Sequence, residues 1–247
     1  MSSVIETQGL TKAYGRQKAV EDLNLKVELG EIFGFLGPNG AGKTTTLLML
    51  LGLTEPSLGQ AKVLGFDPVR EPLEIKRQVG YLPENMGFYH DLTARENLTF
   101  VAELNGLSGA RGRDRVETAL KKVELSAEAE KLVSAYSRGM RQRLGLAELL
   151  VKDPKLVFLD EPALGLDPDG MNKMLDLIVS LNKDQGITVV LSSHLLDHVQ
   201  RICDRVGIMN RGRMAALGSI DELAAQMPGG GEGKNLEDIY MRYFRES

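Results

Sequence analysis

The chain is poor in the residue types that mark several broad classes of protein. Of its 247 residues, one is cysteine and none is tryptophan. A single cysteine, Cys203, excludes an internal disulfide framework and is typical of a reducing compartment. Lysine and arginine number 30 against 34 acidic residues, which gives a formal charge of −4. Nucleic-acid-binding proteins usually carry a basic excess, because neutralising phosphates supplies much of their affinity. We therefore expect no nucleic-acid partner.

The sequence also lacks a segment suited to crossing a membrane. Its longest apolar stretches, such as residues 47–51, fall far short of the roughly 18 residues that a membrane helix needs. The first residues, MSSVIE, lack the basic-then-apolar pattern of a signal peptide. We expect a soluble cytoplasmic protein, and any role at a membrane must come through a partner.

Three short apolar runs predict strands that are buried on both faces. They span residues 32–36, 156–159 and 187–191, and a polar or glycine-rich turn follows each one. Continuous apolarity is typical of a parallel sheet covered by helices on both sides. The order of strand, turn and helix-like stretch indicates βα units and a doubly wound α/β core.

Two other regions depart from this pattern. Residues 20–27 mostly alternate between apolar and polar, and a strand-like piece follows at 61–64, so we expect antiparallel strands flanking the core. From 93 to 151 the pattern is helical, which predicts an inserted α-helical subdomain. Thr93 and Glu96 have the spacing of a capping box. One helix face is predicted to carry Met140, Leu144, Ala147 and Val151.

The C-terminal region contains a break in the pattern. Ser219 and Glu222 form a second capping-box pattern, and residues 228–231 read Pro-Gly-Gly-Gly, which is typical of a flexible segment. Residues 236–244 could form a short amphipathic helix. We predict a main domain over 1–228, with the helical insert at about 93–151, and a C-terminal segment over 229–247.

The strongest motif lies directly after the first apolar run. Residues 37–44 read GPNGAGKT and match the G-x-x-x-x-G-K-[ST] pattern of a P-loop, with a strand before them and a helix-like run from Thr45 after them. The glycines let backbone N–H groups converge on phosphates, and the helix N-terminus favours an anion. We expect Lys43 to reach the β- and γ-phosphates and Thr44 to bind Mg²⁺. The predicted nucleotide contacts are Gly37, Pro38, Asn39, Gly40, Ala41, Gly42, Lys43, Thr44 and Thr45.

A pair of acids ends the second apolar run. Asp160 and Glu161 lie at the carboxyl end of a predicted strand, where open α/β sheets bind their ligands. Adjacent side chains on a strand point in opposite directions, so the two acids can have different roles. Asp160 is placed to hold Mg²⁺, mostly through its waters, and Glu161 to activate the attacking water. Acids at strand ends are also common helix caps, and the upstream P-loop favours catalysis here.

With these motifs, nearly the whole chain resembles the ABC ATPases. Residues 136–140, Tyr-Ser-Arg-Gly-Met, resemble the family signature Leu-Ser-Gly-Gly-Gln, with Tyr136, Arg138 and Met140 in place of the commoner residues. Ser137 can cap the helix that starts near Gly139, which makes this an anion-binding helix N-terminus. The resemblance implies a head-to-tail dimer, in which Ser137 and Gly139 of one chain meet the γ-phosphate held by Lys43 of the other.

The resemblance also assigns roles to single residues elsewhere. Tyr14 resembles the aromatic residue that stacks on adenine, and His194 resembles the switch histidine that touches the γ-phosphate. Glu84 stands where most members have a glutamine that senses Mg²⁺ and the membrane subunit, and its extra charge should alter metal affinity. Residues 163–167, ending in Asp167, resemble the loop that contacts the facing cassette.

Combined, the motifs are similar to those of exporter ATPases that handle drugs, sodium, polysaccharides or other cargo. The run YLPEN at 81–85 also resembles cassettes linked to copper-site maturation of nitrous-oxide reductase. The resemblance implies an ATPase that uses ATP and Mg²⁺, pairs with itself or another cassette, and sits with permease subunits on the cytoplasmic face of the membrane. Residues 86–89 would either face that partner or pack inside the helical subdomain.

Two other classes of protein remain as alternatives. A non-transport ABC ATPase would need two cassettes in one chain or a long coiled coil, and this chain has one P-loop and no sustained heptads. A P-loop kinase or GTPase would share Lys43 and Thr44 but has no use for Ser137, Arg138 and Gly139.

Overall fold

The computed structural model describes residues 2–227 and 235–245, and within them nine strands form two sheets. In chain order the strands are β1 (Ser3–Tyr14), β2 (Gln17–Glu28), β3 (Ile32–Leu36), β4 (Leu58–Val63), β5 (Val79–Leu82), β6 (Leu156–Asp160), β7 (Thr188–Ser193), β8 (Arg205–Asn210) and β9 (Arg213–Gly218). The helices are α1 (Lys43–Leu50), α2 (Pro72–Gln78), α3 (Ala94–Leu104), α4 (Gly109–Lys122), α5 (Arg138–Val151), α6 (Pro168–Gln185), α7 (Leu196–Ile202), α8 (Ile220–Ala225) and α9 (Leu236–Arg245).

The larger sheet has the order β5-β6-β7-β3-β8-β9 and is parallel except for β9, which runs antiparallel to β8. The three apolar runs of the sequence form its centre as β6, β7 and β3, and every residue of these strands is buried. The α/β prediction is therefore confirmed. β7 begins at Thr188, one residue after the start of its apolar run. It ends two residues after that run, because Ser192 and Ser193 continue the pairing with the neighbouring strands.

The smaller sheet has the order β2-β1-β4, and all its pairs are antiparallel, as the alternating pattern predicted. Its inward side chains, such as Ile5 and Leu25, share one hydrophobic core with Phe33, Phe35 and Phe158 of the larger sheet. The rings of Phe33 and Phe35 meet edge to face at 5.1 Å. This core lies around α1 and fixes the helix behind the loop at residues 37–42.

Between β5 and β6 the chain forms α3, α4 and α5, joined through two short 3₁₀ turns at Ser126–Glu128 and Val133–Ala135. The predicted capping box at the start of α3 is present, with Thr93 and Glu96 bonded to each other's backbone N–H. On α5, Leu144, Ala147 and Val151 are fully buried, and Met140 packs at the edge of the same core.

The C-terminal elements return to the larger sheet. The capping box of Ser219 and Glu222 starts α8 as predicted. The predicted break at 228–231 lies outside the described residues. The amphipathic helix is present as α9, with Leu236 and Ile239 fully buried, and it packs on α7 and α8. The domain boundaries remain a prediction. Within residues 2–227 and 235–245, no helix has the length and apolarity needed to cross a bilayer.

Candidate functional site

The parallel register brings several predicted site residues to one edge of the larger sheet. Leu36 of β3 lies opposite Ser193 of β7, and Asp160 of β6 lies opposite Ser192. The segments that follow these strand ends therefore start side by side. They carry the P-loop, the acid pair and His194.

The P-loop turns into α1 at Gly42. Gly42 has a φ of 105°, and a Cβ there would lie 2.5 Å from the carbonyl oxygen of Ala19, so only glycine fits. The Gly212 N–H donates to the Ala41 carbonyl at 3.0 Å and ties the loop to the β8–β9 turn. Because the turn is complete at Gly42, α1 begins at Lys43, two residues before the predicted start at Thr45.

Lys43 is a buried cation directed into the loop. Its Nζ donates to the carbonyl oxygens of Gly37 at 2.6 Å and Pro38 at 3.3 Å. Burial lowers the pKa of Lys43, and the nearby charges of Glu161, Asp160 and Glu84 oppose that shift. An ammonium group beside converging backbone N–H groups at a helix N-terminus favours a phosphate ligand.

Three oxygen-bearing side chains meet at Asp160. The Thr44 hydroxyl donates to Oδ2 of Asp160 at 2.9 Å, and the Ser192 hydroxyl donates to Oδ1. Oxygen ligands of this kind fit Mg²⁺, which keeps several waters and uses one or two carboxylates plus substrate phosphates. The described residues contain no cluster of three or more histidine, cysteine or acidic side chains suited to a metal.

Glu161 has a strained backbone at the head of the next loop. Its φ is 50°, in the left-handed region that non-glycine residues rarely adopt, and such outliers cluster at functional sites. The Glu161 N–H donates to the carbonyl and the hydroxyl oxygen of Ser192, each at 3.2 Å. These bonds hold the backbone of Glu161 in this conformation.

The Glu161 carboxylate lies between two nitrogen-bearing side chains. Oε1 is 3.8 Å from Nζ of Lys43 and 3.0 Å from Nδ1 of His194, while Oε2 is buried and has no hydrogen-bond partner among the described residues. Glu161 is 7% exposed, whereas the His194 side chain is 38% exposed. A carboxylate held here can accept a proton from a water that attacks a phosphate bound at Lys43.

The signature-like segment starts α5 in the way that the sequence predicted. The Ser137 hydroxyl caps the helix by accepting from the Met140 N–H at 3.2 Å, and Arg138 is its first residue. Tyr136 is buried, and its hydroxyl donates to the Glu128 carbonyl at 2.7 Å. The segment is thereby fixed to the helical insert.

A cavity of about 360 Å³ separates this segment from the start of α6. Its walls include residues 137–140 and Asp167, which caps α6 by accepting from the Gly170 N–H at 3.2 Å. Gly165 has a φ of 69°, and a Cβ there would lie 2.5 Å from the Arg138 guanidinium carbon. The lining contains no residue of the P-loop. Within one chain, the predicted site residues therefore form two separate groups, one around the P-loop and one around the start of α5.

Two further predicted site residues, Tyr14 and Glu84, are exposed. Tyr14 ends β1 with 55% of its surface exposed, and the Lys12 ammonium lies 5.0 Å from its ring centre. Glu84 is exposed after β5, and its negative charge favours the protonated forms of Lys43 and Tyr81. Of residues 86–89, Phe88 packs inward, while Tyr89 is exposed with its ring against Phe100 at 5.1 Å.

Sequence reasoning missed Ser192, which contacts both acids of the site. The available signal was its place at the carboxyl end of a buried strand, the same signal that marked Asp160. A serine carries no charge, so its residue type alone does not indicate a role at such a site.

Comparisons with known proteins agree on one family. Residues 20–164 match the family model described as "ABC transporter". The bacitracin transport ATP-binding protein BcrA of Bacillus licheniformis is 46% identical over 87% of this chain and 69% of its own length. The daunorubicin/doxorubicin resistance ATP-binding protein DrrA of Streptomyces peucetius is 40% identical over 90% of this chain and 67% of its own.

Solved structures share the fold. A structure described as the ATP-binding subunit of an ABC transporter has a TM-score of 0.86 at 32% identity, covering 98% of this chain and 99% of its own. A dimeric ATP-binding cassette in a post-hydrolysis state, bound to ADP and Pi, has a TM-score of 0.79 at 26% identity, covering 87% and 98%.

Proposed function

Because the chain belongs to the ABC transporter family, we propose that its ATPase site is built from Lys43, Thr44, Asp160, Glu161 and His194. The chain is the ATP-hydrolysing subunit of an ABC transporter, and it works as a dimer together with permease subunits. One observation carries the assignment of the site: the buried Glu161 carboxylate lies between the Lys43 ammonium and the His194 ring, at the edge where the P-loop begins.

ATP binding falls to the P-loop. Lys43 exchanges its bonds to the Gly37 and Pro38 carbonyls for the β- and γ-phosphate oxygens, and the loop's N–H groups take the remaining phosphate charge. Thr44 and Asp160 would hold Mg²⁺, which when bound neutralises charge on these phosphates. Tyr14 would stack on adenine, and Glu84 would face the bound metal.

Hydrolysis depends on Glu161, the acid that follows Asp160 in the chain. Glu161 orients the attacking water and accepts its proton through a carboxylate that His194 contacts, while Ser192 holds the backbone of Glu161. His194 also steadies the γ-phosphate, for which it is suited by its exposed position beside Glu161. Asp160 thus serves to hold the metal, and Glu161 serves to activate the water.

The second group of residues acts in trans. Ser137, Arg138, Gly139 and Met140 form the positive N-terminal end of α5, and the cavity beside them has no phosphate-binding loop of its own. In the head-to-tail dimer these residues meet the γ-phosphate on the partner's P-loop, and Asp167 contacts the facing cassette.

The cargo is proposed from the relatives. Their names refer to bacitracin transport and to daunorubicin/doxorubicin resistance. These names favour an antibiotic-like compound over a role in copper-site maturation, which is linked to the cassettes that the run at 81–85 resembles. The permease would dock on the side that exposes Tyr89 and Phe100, where apolar rings are available for a contact. The cassette would then lie on the cytoplasmic face of the membrane.

Mixing two inactive variants tests the shared site. Lys43→Ala removes the P-loop cation, and Ser137→Arg blocks the signature segment, so each homodimer should lose ATP hydrolysis. A heterodimer of the two has one site with both defects and one site with neither. An equal mixture should therefore regain up to about a quarter of the wild-type rate, since half its dimers carry one intact site of two.

Carrying an affinity tag on one variant only, and measuring how much of the other variant it retains in the presence of ATP, shows whether mixed dimers form. A mixture that dimerises and stays inactive would contradict the arrangement in trans. Full activity of Ser137→Arg alone would remove the signature segment from the mechanism.

A further inference from the structure

Two buried polar atoms near the site have no partner. Within residues 2–227 and 235–245, Oε2 of Glu161 and Nδ1 of His198 are both inaccessible to solvent and form no hydrogen bond. Leaving such a group unpaired inside a protein costs free energy, because it gives up its bonds to water and gains none. An unsatisfied buried atom therefore requires an explanation, and two of them close to each other point to a shared one.

Both residues line the same small cavity. It lies beneath the loop at 161–164, between β7 and α7, and its volume is about 10 Å³. That is about the smallest volume in which one water molecule fits. Most of the wall is apolar, and the polar side chains that reach it are those of Glu161, Ser193 and His198.

The hydrogen-bonding capacities of these three groups match one water. A neutral imidazole with its proton on Nε2 accepts at Nδ1, and a carboxylate accepts at Oε2, so one water can donate to both. The Ser193 hydroxyl accepts from the Leu195 N–H at 3.0 Å and has its own proton left to donate to that water. Burial lowers the pKa of His198, as do the charges of Arg201 and His194, while Asp197 opposes the shift. The neutral form that the water requires is therefore the favoured one.

We propose that a buried water links His198 to Oε2 of Glu161, and that His198 is a positioning residue for the catalytic carboxylate. The inference rests on the assignment of Glu161 as general base. His194 holds one carboxylate oxygen and the water-linked His198 holds the other, so that the plane of the carboxylate is fixed from both sides. Neither contact depends on the γ-phosphate or on the partner cassette.

Side-chain replacements at position 198 separate the polar role from packing. His198→Leu keeps much of the volume but removes the acceptor, and kcat for ATP should fall about tenfold with the KM for ATP unchanged. His198→Asn places a polar atom at the position of Nδ1 and should keep most of the wild-type kcat. His90→Leu is the matched control, because His90 is exposed outside the cavity and should leave kcat unchanged.

A double variant tests whether His198 acts through Glu161. In a Glu161→Gln background, His198→Leu should cause no further loss of kcat, because there is no carboxylate left to position. An equal, roughly tenfold loss in both backgrounds, or an equal loss in His198→Leu and His198→Asn, would overturn the proposal and leave His198 a packing residue. Full activity of His198→Leu would also overturn it.

A crystal structure at a resolution that shows ordered water provides a test that does not depend on activity. A water within hydrogen-bond distance of both Glu161 Oε2 and His198 Nδ1 is expected, and it should be absent in His198→Leu. A dry cavity in the wild type would refute the link. If Glu161→Gln itself hydrolyses ATP normally, the assignment of the general base fails, which is distinct from a failure at His198.

Discussion

Replacing Glu161 by glutamine should separate ATP binding from hydrolysis. The amide keeps the size of the side chain but cannot accept the proton of the attacking water. Loss of a positioned general base costs on the order of 10²- to 10⁴-fold, so kcat should fall at least about 10²-fold. The backbone of residue 161, held by Ser192, does not depend on the side-chain charge and should keep its conformation.

The same change should tighten ATP binding. Oε1 of Glu161 lies 3.8 Å from Nζ of Lys43, a gross attraction of about 4 kcal/mol at an effective dielectric constant of about 20. The phosphates must share Lys43 with this carboxylate and also lie near its negative charge. Solvation of the carboxylate offsets most of the gross attraction. If about 1 kcal/mol remains, the Kd for ATP should fall roughly fivefold.

Three measurements check this prediction: steady-state ATPase rates, equilibrium titration with ATP, and light scattering of the variant with and without ATP. The variant should accumulate as an ATP-dependent dimer. Glu148→Gln is the matched control, because it makes the same chemical change on α5, outside both groups of site residues, and should alter neither rate nor Kd. Wild-type turnover in Glu161→Gln would refute the assignment of the base, and weaker ATP binding would refute the electrostatic reasoning.

Three other predictions concern the metal, a half-buried carboxyl group and the C-terminal helix. Asp160→Asn should raise the Mg²⁺ concentration for half-maximal ATPase activity by roughly tenfold or more, since second-shell partners of metals carry such effects; an unchanged Mg²⁺ dependence would exclude Asp160 as the metal-holding group. Burial raises the pKa of Glu148 from 4.5 to about 7. The folded state must therefore ionise a half-buried, poorly solvated acid as pH rises through 7, and Glu148→Gln should gain thermal stability over the wild type at pH 8 but not at pH 4. The same difference in Tm at both pH values, or a similar gain in the exposed control Glu103→Gln, would contradict this. Leu236→Ala should lower the free energy of unfolding by about 2–5 kcal/mol in urea titrations, because Leu236 is fully buried. The control Leu104→Ala, at a residue 70% exposed, should lower it by less than about 0.5 kcal/mol. Equal losses would show that α9 adds nothing to the core.

Local sequence patterns predicted much of the fold because their causes are local. Both capping boxes follow from the three-residue spacing between hydroxyl and carboxylate, and both are present at Thr93 and Ser219. The strand Ile32–Leu36 was predicted with its correct bounds, because a continuous apolar run ends at a P-loop whose glycine cannot extend it. The antiparallel strands followed from alternation, which one solvated face imposes.

Other features depend on contacts between distant parts of the chain. β5 and β8 were not predicted, because a four-residue strand and an apolar run interrupted by glycine carry little periodic signal. No local pattern places Ser192 against Asp160, since that contact arises from the register of two strands 32 residues apart. The left-handed φ of Glu161 and its pairing with Lys43 are likewise products of the assembled sheet.

The position of β3 in the sheet has a consequence for how the protein folds. β3 carries the P-loop from the early part of the chain, yet Ile32 pairs with Val189 and Phe33 with Arg205. Contacts between such distant residues must wait for a large loop to close, and they make folding slow. On a ribosome, the hairpin of β1 and β2 can form early. The strand that carries the P-loop, β3, lacks one or both of its neighbours, β7 and β8, until β8 has emerged. Nascent chains cut before residue 205 should therefore fail to bind ATP, although they contain every residue of the loop.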